Sequence, residues 1–255
     1  MADWPTLRIG FLYPEWMSLY GDRGNVMVLA QRARWRGIPV EVRMIGADDA
    51  ADLAAMDLLL LGGGSDDAQA AISADLKTRR ADALHQAAAA GVVILAVCGG
   101  YQLLGHYYRT NAGEALPGVG LLDIWTEAGS PRLVGDVVIE TQPPALPPME
   151  LVGYENHAGR TYLGPRARPL GRVRFGCGNN GRDGGEGAVQ GSVFGTYLHG
   201  PLLPKNPAFA DHLLQLALRR HGISASLPPL DDTLEELAHA SAVARAAQRR
   251  RAHAR

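Results

Sequence analysis

The chain has 255 residues, 47% of them hydrophobic and 20% charged, with a net charge of −1. That length can bury the core of one large α/β domain or two small ones, and the near-neutral balance argues against nucleic acid or an anionic membrane held by bulk charge. Two cysteines make no disulfide framework and point to a reducing, cytoplasmic setting; without a run of about 18 apolar residues or a cleavable leader pattern, neither a membrane span nor secretion is expected.

In chain order, LRIGFLYP (Leu7 to Pro14) reads as a strand, and Asn25 to Arg36 as a helix that stops at Gly37. IPVEVRMI (Ile38 to Ile45) is a second strand, and MDLLLLGGG (Met56 to Gly64) a third with a glycine-rich exit. An alanine-rich helix, Lys77 to Ala90, ends at Gly91; VVILAVC (Val92 to Cys98) is the fourth strand, and YQLLGHYY begins the helix after it. Continuous apolar strands separated by helices are what a parallel sheet covered on both faces requires. The expected fold is α/β, a three-layer sandwich with a mostly parallel central sheet. Ligands in such sheets collect at the carboxyl ends of the strands, where GGGSDD and CGGYQ fall.

From about Gly118 the β-like runs shorten: LVGDVVIE (Leu133 to Glu140), the PPALPP loop, and GRVRFG (Gly171 to Gly176). CGNNGRDGGEGA (Cys177 to Ala188) reads as an exposed hairpin or mobile loop. Ser192 to Pro207 follows as a strand and turn, then a helix from Ala208 to His221. We divide the chain into residues 1–222 and a C-terminal helical extension, 223–255. In the extension, Asp231 to Arg255 forms an amphipathic helix that becomes basic, either a solvated tail or a docking helix for a partner.

ILAVCGGYQLLG places a single cysteine where an apolar strand turns into a helix. A strand, a sharp turn and a helix lift the nucleophile of many hydrolases above the sheet, and glycines beside it admit a strained backbone and a close-lying substrate. At a helix N-terminus, free N–H groups lower a thiol pKa, and the Gly99 N–H could stabilise an oxyanion. The bland alternative is a small buried cysteine ending a core strand. His199, in FGTYLHGP, is the best proton shuttle for Cys98, because it also follows a strand; His157, in GYENHAGR, is the runner-up. The other histidines fall on helices or tails. Cys177 reads as a small residue in a glycine-rich loop, and no close Cys/His array suggests a metal.

These motifs resemble class I glutamine amidotransferases, whose nucleophile elbow follows G-x-C-x-G-x-Q; here it is Ala96-Val97-Cys98-Gly99-Gly100-Tyr101-Gln102, departing at the first glycine. SLYGDRGN, LGGGSDDAQ, VCGGYQLLG, RLVGDVVIE, GYENHAGRTYLG, FGCGNNG and GTYLHGPLLPKNP carry the resemblance across roughly Leu7 to Gly222. They point to the cobyric-acid-synthase-like branch, and within it to GatD-type subunits of lipid II isoglutaminyl synthase. The resemblance implies that Cys98 attacks the side-chain amide of glutamine, forming a γ-glutamyl thioester, while His199 protonates the departing ammonia and then activates water. Gly64 and Gly99 would supply oxyanion donors, and Arg132 would bind the α-carboxylate as a planar bidentate donor. Arg132 read alone is a surface arginine before a strand, and Gln102 either bonds substrate or caps the elbow helix.

Many class I enzymes carry a glutamate two residues after the histidine, where this chain has Pro201. Asp22 is the first choice to orient the imidazole and Glu155 the second, although Asp22 is equally placed to cap the Asn25 helix. The chain lacks the G-x-x-x-x-G-K-[ST] loop, and LGGGSDD has no lysine, so it reads as an oxyanion turn. No cofactor is expected here. ATP and Mg belong on a MurT-type, Mur-ligase-like partner in a heterodimer, which would activate the D-glutamate of the lipid II stem peptide for amidation. The competing readings are a glutaminase for another acceptor such as a corrinoid carboxylate, a stand-alone cysteine hydrolase or peptidase, and a catalytically silent binding subunit.

Overall fold

The computed structural model describes residues 4–224 and 226–253. In chain order it contains β1 (Leu7–Leu12), α1 (Arg23–Trp35), β2 (Val40–Ile45), β3 (Leu58–Leu61), α2 (Asp66–Asp75), α3 (Ala81–Ala89), β4 (Val93–Val97) and α4 (Gly99–Leu103). There follow β5 (Tyr107–Arg109), β6 (Ala115–Pro117), β7 (Ile124–Thr141), β8 (Glu150–Leu163), β9 (Gly171–Phe175), β10 (Gly185–Glu186), β11 (Ala188–Gln190), β12 (Val193–Thr196), α5 (Pro207–Arg219) and α6 (Thr233–His253).

The central sheet runs β11-β12-β4-β3-β1-β2, with every pair parallel except β11 with β12. Alternate side chains of a strand face opposite sides, so LLLL of β3 and VILAV of β4, buried throughout, feed two cores. Leu59, Leu61, Ile94 and Ala96 pack with Ile72 and Leu76 and with Leu84 of α3. Leu58, Leu60, Val93 and Leu95 pack with Val26 and Leu29 of α1 and Leu213 and Leu214 of α5. The result is the expected three-layer α/β sandwich. Because these strands are parallel, their carboxyl ends share one edge, where the loops after β1, β3, β4 and β12 meet.

The second half forms another sheet, β10-β9-β7-β5-β6, with β8 paired to β7. Its pairs are antiparallel except β5 with β7. Several expectations need correction here. The alanine-rich helix begins at Asp66, where Ser65 accepts the Ala68 N–H as N-cap, and reaches α3 through a π-turn at Leu76–Arg80. The elbow helix ends at Leu103, because Gly105 lies against Ile124 and Tyr107–Arg109 pairs into the second sheet. The 177–188 segment is not an exposed loop: Asn179, Asn180 and Glu186 are buried, and Asn179 Nδ2 donates to the Gly187 carbonyl. Helix α6 packs Ala242 and Ala246 on Val138 and Val152, while Arg245 pairs with Asp136. Ala254 and Arg255, the end of the expected basic run, lie outside the described residues, as do residues 1–3 and 225 of the expected division. Among the described residues no helix is long and apolar enough to cross a membrane.

Candidate active site

Cys98 follows β4 at φ 51°, ψ −107°, a region that disfavours any residue with a Cβ. Neighbouring strands hold it there: its N–H donates to the Thr196 carbonyl at 2.8 Å, and the Gly100 N–H donates to the Gly62 carbonyl at 3.1 Å. A side chain at Gly100 would collide with the Leu61 and Gly62 carbonyls, so the elbow can press onto β3 only with glycine there. The strained cysteine thus stands at the middle of the sheet edge.

His199, three residues past β12, is fixed through its backbone: its N–H donates to the Tyr154 carbonyl at 3.0 Å. Its ring lies against Tyr20, centroids 4.5 Å apart. A methyl group built on Gly63 would stand 3.3 Å from Cys98 Cβ, 3.4 Å from the Tyr20 ring and 3.6 Å from Asp22 Oδ2. Cys98, the Tyr20 ring that touches His199, the glycine turn and Asp22 therefore converge. Asp22 Oδ2 accepts the Gly63 N–H at 2.9 Å and makes no capping bond to α1. Neither ring nitrogen of His199 has a hydrogen-bond partner among the described residues. The structure therefore does not join Asp22 to the imidazole. Glu155 is spent elsewhere, accepting the Cys177 and Gly178 N–H groups.

A cavity of about 270 Å³ opens beside the thiol, lined by Cys98, Gly64, Gln102, Arg132, His157 and Gln69 among others. Arg132 is anchored on Asn156: Nε donates to Oδ1 at 2.6 Å and Nη2 to the backbone carbonyl at 2.9 Å. Gln102 donates one Nε2 hydrogen to the Tyr197 hydroxyl at 3.0 Å and lines the cavity. His157 is buried, stacked on Tyr197 with ring centroids 3.6 Å apart. A larger groove near Cys177, about 730 Å³, is lined by Asp136, Arg174 and Ala246 and contains neither Cys98 nor His199. Among the described residues no three His, Cys, Asp or Glu side chains gather as a metal site.

Burial dominates the electrostatics. It pushes the Cys98 thiol up to about 12, with the Asp22 carboxylate adding to the rise and the Gly99 N–H and Arg132 opposing it. The same desolvation, with Arg132 nearby, pulls His199 down to about 4. The expected lowering of the thiol by the helix N-terminus survives in the Gly99 N–H but is outweighed by burial of the thiol. Burial thus biases both groups toward their neutral forms. Sequence reasoning passed over Tyr20 and Gln69, although both stand inside motifs it singled out, SLYGDRGN and LGGGSDDAQ. Gly21 beside Tyr20 and the glycine turn that ends five residues before Gln69 were the available signal.

The CobB/CobQ-like glutamine amidotransferase domain matches residues 8–207. The chain is 41% identical to the subunit GatD of lipid II isoglutaminyl synthase (glutamine-hydrolyzing) from Staphylococcus aureus, over 90% of this chain and 91% of that one. It is 37% identical to the GatD subunit from Streptococcus pneumoniae, over 90% and 88% of the two chains. In fold it resembles the structure of PurLQS from Thermotoga maritima, with a TM-score of 0.56 at 18% identity, covering 84% of this chain and 94% of that one.

Proposed function

Because the chain belongs to the CobB/CobQ-like glutamine amidotransferase family and is a glutamine-hydrolysing enzyme, we propose that it is the glutaminase subunit of a lipid II isoglutaminyl synthase. The match that carries this reading spans nearly the whole of both GatD relatives.

In this reading Cys98 Sγ adds to the carboxamide carbon of L-glutamine as its proton passes to His199. The Gly64 and Gly99 N–H groups hold the resulting oxyanion. The imidazolium returns the proton to the leaving nitrogen, the C–N bond breaks, and ammonia departs from a γ-glutamyl thioester. Water, deprotonated by His199, then adds to the thioester; the C–S bond breaks, the imidazolium returns the proton to Sγ, and glutamate leaves. Arg132, with Nε and Nη2 on Asn156, offers its remaining edge to the α-carboxylate. Asp22 acts through the turn, fixing the Gly63 peptide beside the oxyanion donors. Ammonia free in water near neutral pH is mostly ammonium and not nucleophilic, so the product passes to a MurT-type partner that carries ATP and Mg and activates the D-glutamate carboxylate of lipid II.

The experiment combines this chain with the Mur-ligase-like partner, ATP, Mg and lipid II, and reads stem-peptide amidation by mass. Wild type should support amidation from glutamine, and Cys98→Ser only from added ammonium salt. A second reading, favoured by the CobB/CobQ-like character of the matched domain, has a corrinoid carboxylate as acceptor. Amidation of a corrinoid acid but not of lipid II would select it.

A further inference from the structure

The His157 ring has one function left to give. Nδ1 lies 2.8 Å from the Gly159 carbonyl oxygen, which only accepts, so Nδ1 carries the proton. The ring face is covered by Tyr197, the rings nearly parallel at 3°. Burial holds the imidazole neutral. Nε2 is therefore a bare, buried lone pair with no partner among the described residues, on a side chain only 1% exposed, and His157 is one of the residues that border the cavity holding Cys98. An unpaired buried acceptor carries a desolvation cost that a donor on a ligand removes.

We infer that His157 Nε2 accepts a hydrogen bond from the α-ammonium group of the substrate glutamine, making it a specificity residue for the amino-acid end of the ligand. This rests on the glutaminase reading above. Glutamine offers two kinds of N–H donor, the ammonium and the carboxamide, and position separates them. Arg132, the candidate carboxylate clamp, lines the same cavity as His157, and its charge is felt by the His157 ring. Carboxylate and ammonium share one carbon, so the group that binds one lies beside the group that binds the other. At the thiol end stands a different unpaired acceptor, Gln69 Oε1; its side chain packs so closely on Gly99 that a Cβ there would meet Gln69 Cδ at 2.9 Å. The carboxamide nitrogen falls to that end.

The test compares L-glutamine with glutaramate, the same carboxamide acid lacking the α-amino group, using the full chain with its ligase-like partner. His157→Phe keeps the stacked ring and removes the acceptor. His157→Gln returns an acceptor near the Nε2 position. The readout is kcat/KM for glutamine divided by kcat/KM for glutaramate, a ratio in which any loss of folded enzyme cancels. His157→Phe should lower this ratio about 10- to 100-fold, mainly through KM for glutamine, and His157→Gln should recover much of it. An unchanged ratio, or equal losses on both substrates, would overturn the assignment and leave the glutaminase reading standing. Absence of glutamine hydrolysis by wild type would instead remove the reading on which it rests.

Discussion

Asp22 occupies the residue before α1, yet its Oδ2 accepts the Gly63 N–H at 2.9 Å and makes no bond to the helix it precedes. The carboxylate thus clamps the turn after β3 while lying close enough to Cys98 to disfavour the thiolate. Burial raises its own pKa to about 6, so it is ionised at pH 8. Asp22→Asn keeps an oxygen for Gly63 and removes the charge. The pH midpoint for Cys98 alkylation by iodoacetamide should therefore move down. A midpoint that stays or rises contradicts this arrangement.

Arg132 spends Nε and Nη2 on Asn156, so its orientation depends on a planar fork that lysine cannot reproduce. Arg132→Lys should raise KM for glutamine by about tenfold or more with a smaller change in kcat. Steady-state glutamate release measures the split. A loss confined to kcat would remove Arg132 from substrate binding.

Glu186 is fully buried beneath the histidine segment, accepting the Tyr197 N–H at 2.6 Å and the Thr196 hydroxyl, and burial pushes its pKa up to about 8. An acid with a raised native pKa binds its proton more tightly folded than unfolded. Its effect is harmless below the unfolded value of about 4.3 and grows through the native value, so stability falls as pH rises across that window. Glu186→Gln removes one proton-linked group. Urea unfolding between pH 5 and 8 should show a flatter pH dependence for the variant, by at most about 1.4 kcal/mol per pH unit.

The strands that form the central sheet are plain in the sequence because a doubly covered strand must be apolar at every position, as Leu58 to Leu61 and Val93 to Val97 are. Cys98 was legible for the same reason: a polar, reactive residue followed by glycines breaks an apolar run at its carboxyl end. His199 followed from the same logic on β12. Asp22 read as a partner for the imidazole or as a helix cap, since nothing local says that its carboxylate crosses to Gly63, 41 residues away. The role of His157 depends on Gly159 and Tyr197 around it, and a single-residue signal cannot carry that. Helix α6 read as a free tail or partner helix because Asp136, which receives Arg245, lies 109 residues upstream.

Arg32, 2% exposed, joins α1 to Asp211 of α5 and to Asp232 just before α6, while Arg36 also holds Asp211. Removing Arg32 leaves the half-buried carboxylates of Asp211 and Asp232 undercompensated. Arg32→Ala should destabilise the fold by about 1.5–3 kcal/mol in denaturant unfolding. A change near zero would mean that solvent already screens the cluster.

The central claim is that Cys98 cleaves the glutamine side chain. Glutamate released from L-glutamine by wild type and by Cys98→Ser, each with the ligase-like partner, tests it most directly. The account predicts steady release by wild type and its loss, by several orders of magnitude, in the serine variant. Equal release by both proteins, or none by wild type, would contradict it.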